Sequence, residues 1–121
     1  MIFIFSEKNM VQMINSKEEF DKFMEETNWI FIADFFATWC GPCQILWPVI
    51  EELSKENKDV KFVKIDVDEV PELAAEYQIS SIPTVFIGYN HDVREWFLGA
   101  HPKEFYEEKI KNAEWELTNV K

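Results

Sequence analysis

Trp39-Cys40-Gly41-Pro42-Cys43 holds both cysteines of the chain, three positions apart, directly after the nearly unbroken apolar stretch 29–37. Only Asp34 carries a charge in that stretch, as expected of a central strand covered on both faces. Pro42 suits the first turn of a helix, and Leu46, Val49, Ile50 and Leu53 follow at three- and four-residue steps as its buried stripe. The cysteines therefore sit at the tip of a helix that leaves a buried strand. Pro48 inside this helix removes a hydrogen-bond donor and predicts a kink.

Upstream, Val11 to Ile14 reads as a short strand, and Ser16-Lys17-Glu18-Glu19 as a capping box opening a helix whose inner face carries Phe20, Phe23, Met24 and Thr27. Downstream, residues 60–66 form a strand pattern, and Pro71 opens a short helix over 71–77. Residues 84–87 and 94–98 predict two strands paired antiparallel across the turn Tyr89-Asn90-His91-Asp92. Pro102 opens a last amphipathic helix with Tyr106, Ile110, Ala113 and Leu117 on one face. Strands alternating with helices, then a hairpin and a terminal helix, predict an α/β sheet layered by helices on both faces. No repeat, linker or low-complexity tract divides the sequence, so 1–121 reads as a single domain with 1–9 as an extension and 10–117 as the core.

A thiol attacks a disulfide only as the thiolate, and a helix N-terminus offers partial positive charge and free backbone donors to that anion. Cys40 holds the favoured position and is the candidate nucleophile. Cys43, one turn on, is placed to attack a mixed disulfide formed at Cys40 and leave a Cys40–Cys43 bridge. Gly41 and Pro42 leave the approach open and stiffen the turn. Other readings fit less well. Inert core cysteines belong in the apolar stripe rather than at a helix tip. Structural zinc needs about four ligands, and His91 and His101 lie far off without paired spacing. A static disulfide here closes too small a loop to constrain the unfolded chain.

Alternation along the strand places Asp34 on the face of Ile30, Ile32 and Phe36, where an unpaired carboxylate is costly. Phe62 and Lys64 share a face of the following strand, so Lys64 reaches Asp34 if the two strands are neighbours. A carboxyl beneath the cysteines would relay protons to or from Cys43; the plainer alternative is a carboxyl tied to Lys64 for packing.

Taken together, Asp34-Phe35-Phe36-Ala37-Thr38-Trp39-Cys40-Gly41-Pro42-Cys43, Pro48, Lys64-Ile65-Asp66-Val67-Asp68, Ile82-Pro83-Thr84 and Gly99-Ala100 resemble the thioredoxin family over roughly residues 10–117. The resemblance implies a thioredoxin fold, a central mixed sheet of about five strands flanked on both faces by about four helices. It implies a Cys40–Cys43 redox disulfide, Cys40 attacking, Cys43 resolving, Asp34 assisting proton transfer, Lys64 tuning it and Pro83 cis. It also implies a substrate rim of Trp39, Gly41, Pro42, Ser81, Ile82 and Gly99, the Ile82 backbone pairing with the substrate's extended segment. Expected partners are proteins that carry disulfides and, as electron donor, a flavin-containing thioredoxin reductase; no cofactor or metal is expected on this chain. Three positions depart from the family pattern. Phe36 stands where an indole is common, Gln44 replaces a usual basic residue, and Trp47 occupies a position commonly small, compatible with either a packed or an exposed ring. The usual glycine of the hairpin turn is absent from Asn90-His91-Asp92.

Composition sets the outer limits. A chain of 121 residues can bury a full core, and 12 Lys and Arg against 23 Asp and Glu give a net charge of −11. That charge disfavours nucleic acid and anionic membranes as partners. Two closely spaced cysteines make no extracellular disulfide framework, so reducing cytoplasm is the expected compartment. The apolar start Met1-Ile2-Phe3-Ile4-Phe5 lacks a basic flank and reads as an extra strand or packed arm rather than a targeting signal, and no run approaches membrane-spanning length. Nothing in the sequence requires more than a monomer. The expected activity is reduction of protein disulfides. A disulfide oxidase or isomerase, and a binding module with incidental thiols, are the rivals, and the Gly41-Pro42 dipeptide argues against the oxidase by family resemblance.

Overall fold

The computed structural model describes residues 11–119. In chain order these form β1 (Val11–Ile14), α1 (Lys17–Glu26), β2 (Phe31–Phe36), α2 (Gly41–Glu56), β3 (Lys61–Asp66), α3 (Pro71–Glu76), β4 (Thr84–Tyr89), β5 (Asp92–Leu98) and α4 (Lys103–Asn119). The expected extension 1–9 and its apolar start lie outside the described residues.

The five strands make one sheet in the order β1-β3-β2-β4-β5. β1, β3 and β2 run parallel, while β4 is antiparallel to β2 and β5 to β4. This is the mixed sheet that the sequence pattern and the resemblance predicted. β2 and β4 are buried along their whole length, as strands covered on both faces must be, whereas the edge strand β5 alternates toward solvent.

Alternation along β2 divides the core in two. Ile30 and Ile32 face Leu46, Ile50 and Leu53 of α2 and Tyr106 and Ile110 of α4. Phe31, Ala33 and Phe35 face Phe20 of α1 and Leu73 of α3. Aromatic edges knit the second layer, with Phe35 against Phe86 at 4.9 Å and Tyr77 against Phe86 at 5.2 Å between ring centroids.

Local signals hold with small shifts. The Ser16 side chain accepts from the Glu19 N–H as the N-cap of α1, but the Glu19 carboxylate accepts from the Asn15 N–H rather than closing the box on Ser16. α2 continues through Pro48. The hairpin is longer than expected: β4 and β5 extend to Tyr89 and Asp92, leaving Asn90 and His91 as a two-residue turn, both with positive φ (56° and 63°). Such a turn matches the twist of the strands; Asn tolerates it readily, and His91 is anchored by a ring nitrogen 2.8 Å from the Met24 carbonyl oxygen. At the other end of β4, the Ile82–Pro83 peptide is cis, as the resemblance implied.

Candidate active site

β2 carries Asp34 in its buried span and delivers the chain to Cys40 through Ala37, Thr38 and Trp39. The turn is tied by the Cys40 N–H donating to the Ala37 carbonyl and by the Gln44 amide donating to the Thr38 carbonyl at 2.9 Å. Gln44 thus braces the loop ahead of the first cysteine, a contact that its sequence position did not signal.

Cys40 is the N-cap of α2, and its sulfur lies 3.2 Å from the Cys43 backbone nitrogen, whose N–H points at it. A sulfur in the N-cap position receives a donor that the first helical turn cannot satisfy, along with the positive end of the helix dipole. Both favour a thiolate at Cys40. The two sulfurs are joined as a disulfide with the α-carbons 5.3 Å apart, so the structure represents the oxidised state. Cys43 is fully buried and Cys40 is 4 % exposed, with Phe36, Ala37, Trp47, Val67 and Ile82 packed around them. Only the outer cysteine offers an edge to solvent.

The cis-proline loop closes over the pair. The Cys40 sulfur lies 3.8 Å from the Ile82 carbonyl oxygen, and the Gly99 N–H donates to the Pro83 carbonyl at 2.8 Å. Pro83 is buried, Ile82 and Gly99 are half-buried, and Trp39, Gly41, Pro42 and Ser81 are exposed. A side chain at Gly41 would meet nothing within 4 Å, consistent with an open approach to Cys40. The Ser81 carbonyl is held by the Thr84 hydroxyl at 2.6 Å. Trp39 is 70 % exposed, and its indole N–H donates to the Asp68 carboxylate at 2.8 Å, which fixes the ring beside the nucleophile. Asp68 stands in the stretch quoted for the resemblance, but nothing in its spacing revealed that bond.

Asp34 is fully buried on the α2 and α4 side of the sheet, and neither carboxyl oxygen has a hydrogen-bond partner. Burial pushes this carboxyl from an ordinary 3.8 up to about 7, with the positive charge of Lys64 pulling the other way. The register places Lys64 directly across from Asp34, as the neighbouring-strand argument required. The expected acid and amine pair nevertheless does not close: the Lys64 ammonium lies over the Trp47 ring, 4.9 Å from its centroid, and 5.9 Å from that of Phe36. The cross-strand register could be read from the residue pattern, whereas the direction taken by a long flexible side chain could not. Tyr106 of α4 feels the same carboxyl; its phenol is pushed up to about 12 by burial, with the Asp34 charge adding and the His101 N–H opposing.

A disulfide at a helix tip with a cis-proline loop against it, on a strand that carries a buried carboxyl, defines a thiol-disulfide oxidoreductase. The family model described as Thioredoxin matches residues 11–112. The chain is 42% identical over 98 residues to thioredoxin of Mycoplasmoides gallisepticum, covering 81% of this chain and 97% of that one. It is 45% identical over 87 residues to thioredoxin of Bacillus subtilis, covering 71% and 84%. Among solved structures, a Plasmodium falciparum thioredoxin superposes with a TM-score of 0.78 at 37% identity, over 84% of this chain and 98% of that one. A thioredoxin from Nicotiana alata gives 0.81 at 34% identity, over 92% and 98%. The chain belongs to the thioredoxin family. Among the described residues no helix is long and apolar enough to cross a membrane.

Proposed function

We propose that this protein reduces disulfides in other proteins, with Cys40 as nucleophile and Cys43 as resolving thiol. In the dithiol state the Cys40 thiolate attacks one sulfur of the target disulfide. A Cys40–target bond forms as the target's own S–S bond breaks, and the displaced target sulfur leaves as a thiolate that takes a proton from water. Cys43 then gives its proton to the Asp34 carboxylate and attacks the Cys40 sulfur, forming the Cys40–Cys43 bond as the Cys40–target bond breaks. The second target sulfur leaves as a thiolate and takes up a proton from water, to which Asp34 returns the one it received. The target gains two electrons and two protons, and this chain loses them.

The observation that carries this reading is the N-cap geometry of Cys40: the outer sulfur accepts from the first helical turn while the inner one is sealed in the core. Asp34 suits the proton step because a carboxyl held near neutrality both accepts and returns a proton at physiological pH. Lys64 sets how strongly it does so. Ile82 and the cis Pro83, within reach of the Cys40 sulfur, support a target segment laid along that loop, with Trp39, Gly41, Pro42, Ser81 and Gly99 as its rim.

The cycle requires an external electron donor, a thioredoxin reductase, and a reducing compartment such as the cytoplasm. A chain whose two cysteines are the exchanging pair fits that setting. One five-stranded sheet carrying all the described helices supports a single domain over residues 11–119, acting as a monomer. The test is the equilibrium of the Cys40–Cys43 pair against glutathione, combined with turnover of a protein disulfide using dithiothreitol as electron source. A pair no more oxidising than the glutathione pool, at about −220 to −260 mV, with turnover abolished in Cys40→Ser, is expected. A strongly oxidising pair, near about −120 mV, would reassign the protein as an oxidase.

A further inference from the structure

Trp47 takes no part in the exchange chemistry, yet its surroundings single it out. It lies on α2 four residues past Cys43, half-buried, with its ring edge-on to Phe36 at 5.3 Å between centroids. Its indole N–H is buried without an acceptor, so no hydrogen bond of its own accounts for the ring's placement. The ring's face is occupied instead by the Lys64 ammonium at 4.9 Å. This is within the range of about 6 Å for a cation over an aromatic face.

Lys64 has another partner in reach. It is the cross-strand neighbour of Asp34, on the same side of the sheet, and that carboxyl has no donor on either oxygen. An opposite charge close by in half-buried surroundings ordinarily attracts an ammonium more strongly than a ring face does. The ammonium is held off from the carboxyl, and the nearest group that holds it is the Trp47 ring.

We propose that Trp47 is a positioning residue of the exchange site, whose aromatic face captures the Lys64 ammonium and so keeps Asp34 free of a bound donor on the side facing the cysteine helix. The consequence for the exchange rests on the role given to Asp34 above, but the capture itself does not. Among the described residues Asp34 has Lys64 across from it on β3 and the uncharged Val85 on β4, and Tyr106 of α4 feels its charge; the α2 side chains packed on this side of the sheet, Leu46, Ile50 and Leu53, are uncharged, and Cys43 is held in the disulfide. Lys64 is the one cation in this set. Releasing it from Trp47 lets it close on the carboxylate, which favours the charged form of Asp34.

The measurement is the titration of the Asp34 carboxyl carbon, followed by NMR in the oxidised protein for wild type, Trp47→Leu, Trp47→Phe, Lys64→Met and the Trp47→Leu/Lys64→Met pair. Trp47→Leu is expected to move the Asp34 midpoint down by about one pH unit, the usual effect of a nearby opposite charge. Trp47→Phe, which keeps a smaller aromatic face, should move it down by less. Lys64→Met should move it up, and the double variant should match Lys64→Met alone. An unchanged or raised midpoint in Trp47→Leu overturns the proposal. So does an undiminished downward movement in the double variant, because the ring would then act by excluding water rather than through Lys64. Should Trp47→Leu fail to fold, Trp47→Phe carries the same test by its sign, alone and combined with Lys64→Met. The pH profile of exchange in wild type against Asp34→Asn separately tests whether Asp34 transfers the proton, so failure of that role and failure of this one are told apart.

Discussion

Asp34→Asn should stabilise the folded chain, by an amount that grows with pH. The carboxyl is fully buried with neither oxygen bonded, and its value rises from 3.8 to about 7 on folding. A group held higher in the folded state favours folding when protonated. Its contribution is therefore intact below the unfolded value near 3.8 and is lost as pH climbs through about 7. At 1.36 kcal/mol per pH unit, the full cost of ionising it in place is about 4 kcal/mol, reached by pH 8. At pH 5, little more than one unit above the unfolded value, the cost is about 2 kcal/mol. Asn is isosteric and does not titrate, so packing and amide terms cancel between the two pH values. The stability gap between variant and wild type should then widen in the variant's favour by about 2–3 kcal/mol from pH 5 to pH 8. Urea unfolding of the oxidised proteins measures it: with slopes of about 1–3 kcal/mol/M, the midpoints separate by on the order of 1–2 M more at pH 8 than at pH 5. A gap of the same size at both pH values would mean that Asp34 titrates alike in the folded and unfolded chain, and burial would then have no hold on its carboxyl.

Two glycines make contrasting predictions. A side chain at Gly88 would run into the Asp92 carbonyl oxygen and lie 2.6 Å from the Phe31 ring, at a register shift in the β4–β5 ladder. Gly88→Ala should cost about 3 kcal/mol or more in urea unfolding, through displaced backbone and core. Gly99 has a φ of 83° and open space around it, so Gly99→Ala carries only the backbone cost of about 1–2 kcal/mol. It should also slow disulfide turnover, because the Gly99 N–H is bonded to the Pro83 carbonyl beside Cys40. Equal stability losses in the two variants, measured by the same unfolding assay, would contradict these assignments.

How far the sequence could be read depends on which forces act locally. The apolar run around Asp34, the capping Ser16, the proline after Cys40 and the alternating strands are short-range signals, and each element they imply is present with ends shifted by a few residues at most. The opposition of Asp34 and Lys64 followed from strand faces and is met in the β2–β3 register. What stayed hidden was the outcome of competition among long-range partners. Lys64 chooses the Trp47 ring over the carboxyl, Trp39 finds Asp68, and Gln44 turns back to Thr38. A side chain's face is set by periodicity, but its last few bonds are set by neighbours that only the folded chain supplies. The turn at 89–92 was legible, but its tight two-residue form was not: His91 is an uncommon residue at positive φ, and its anchor on Met24 is 67 positions away in the chain.

Trapping separates the roles of the two cysteines. Reduced Cys43→Ser protein, mixed with a protein that carries an accessible disulfide, should accumulate a covalent adduct whose mass and peptide map place the link on Cys40. Reduced Cys40→Ser protein should accumulate none, since its remaining thiol is the residue that is fully buried. An adduct on Cys43 in the Cys40→Ser protein, with Cys43→Ser unreactive, would contradict the account.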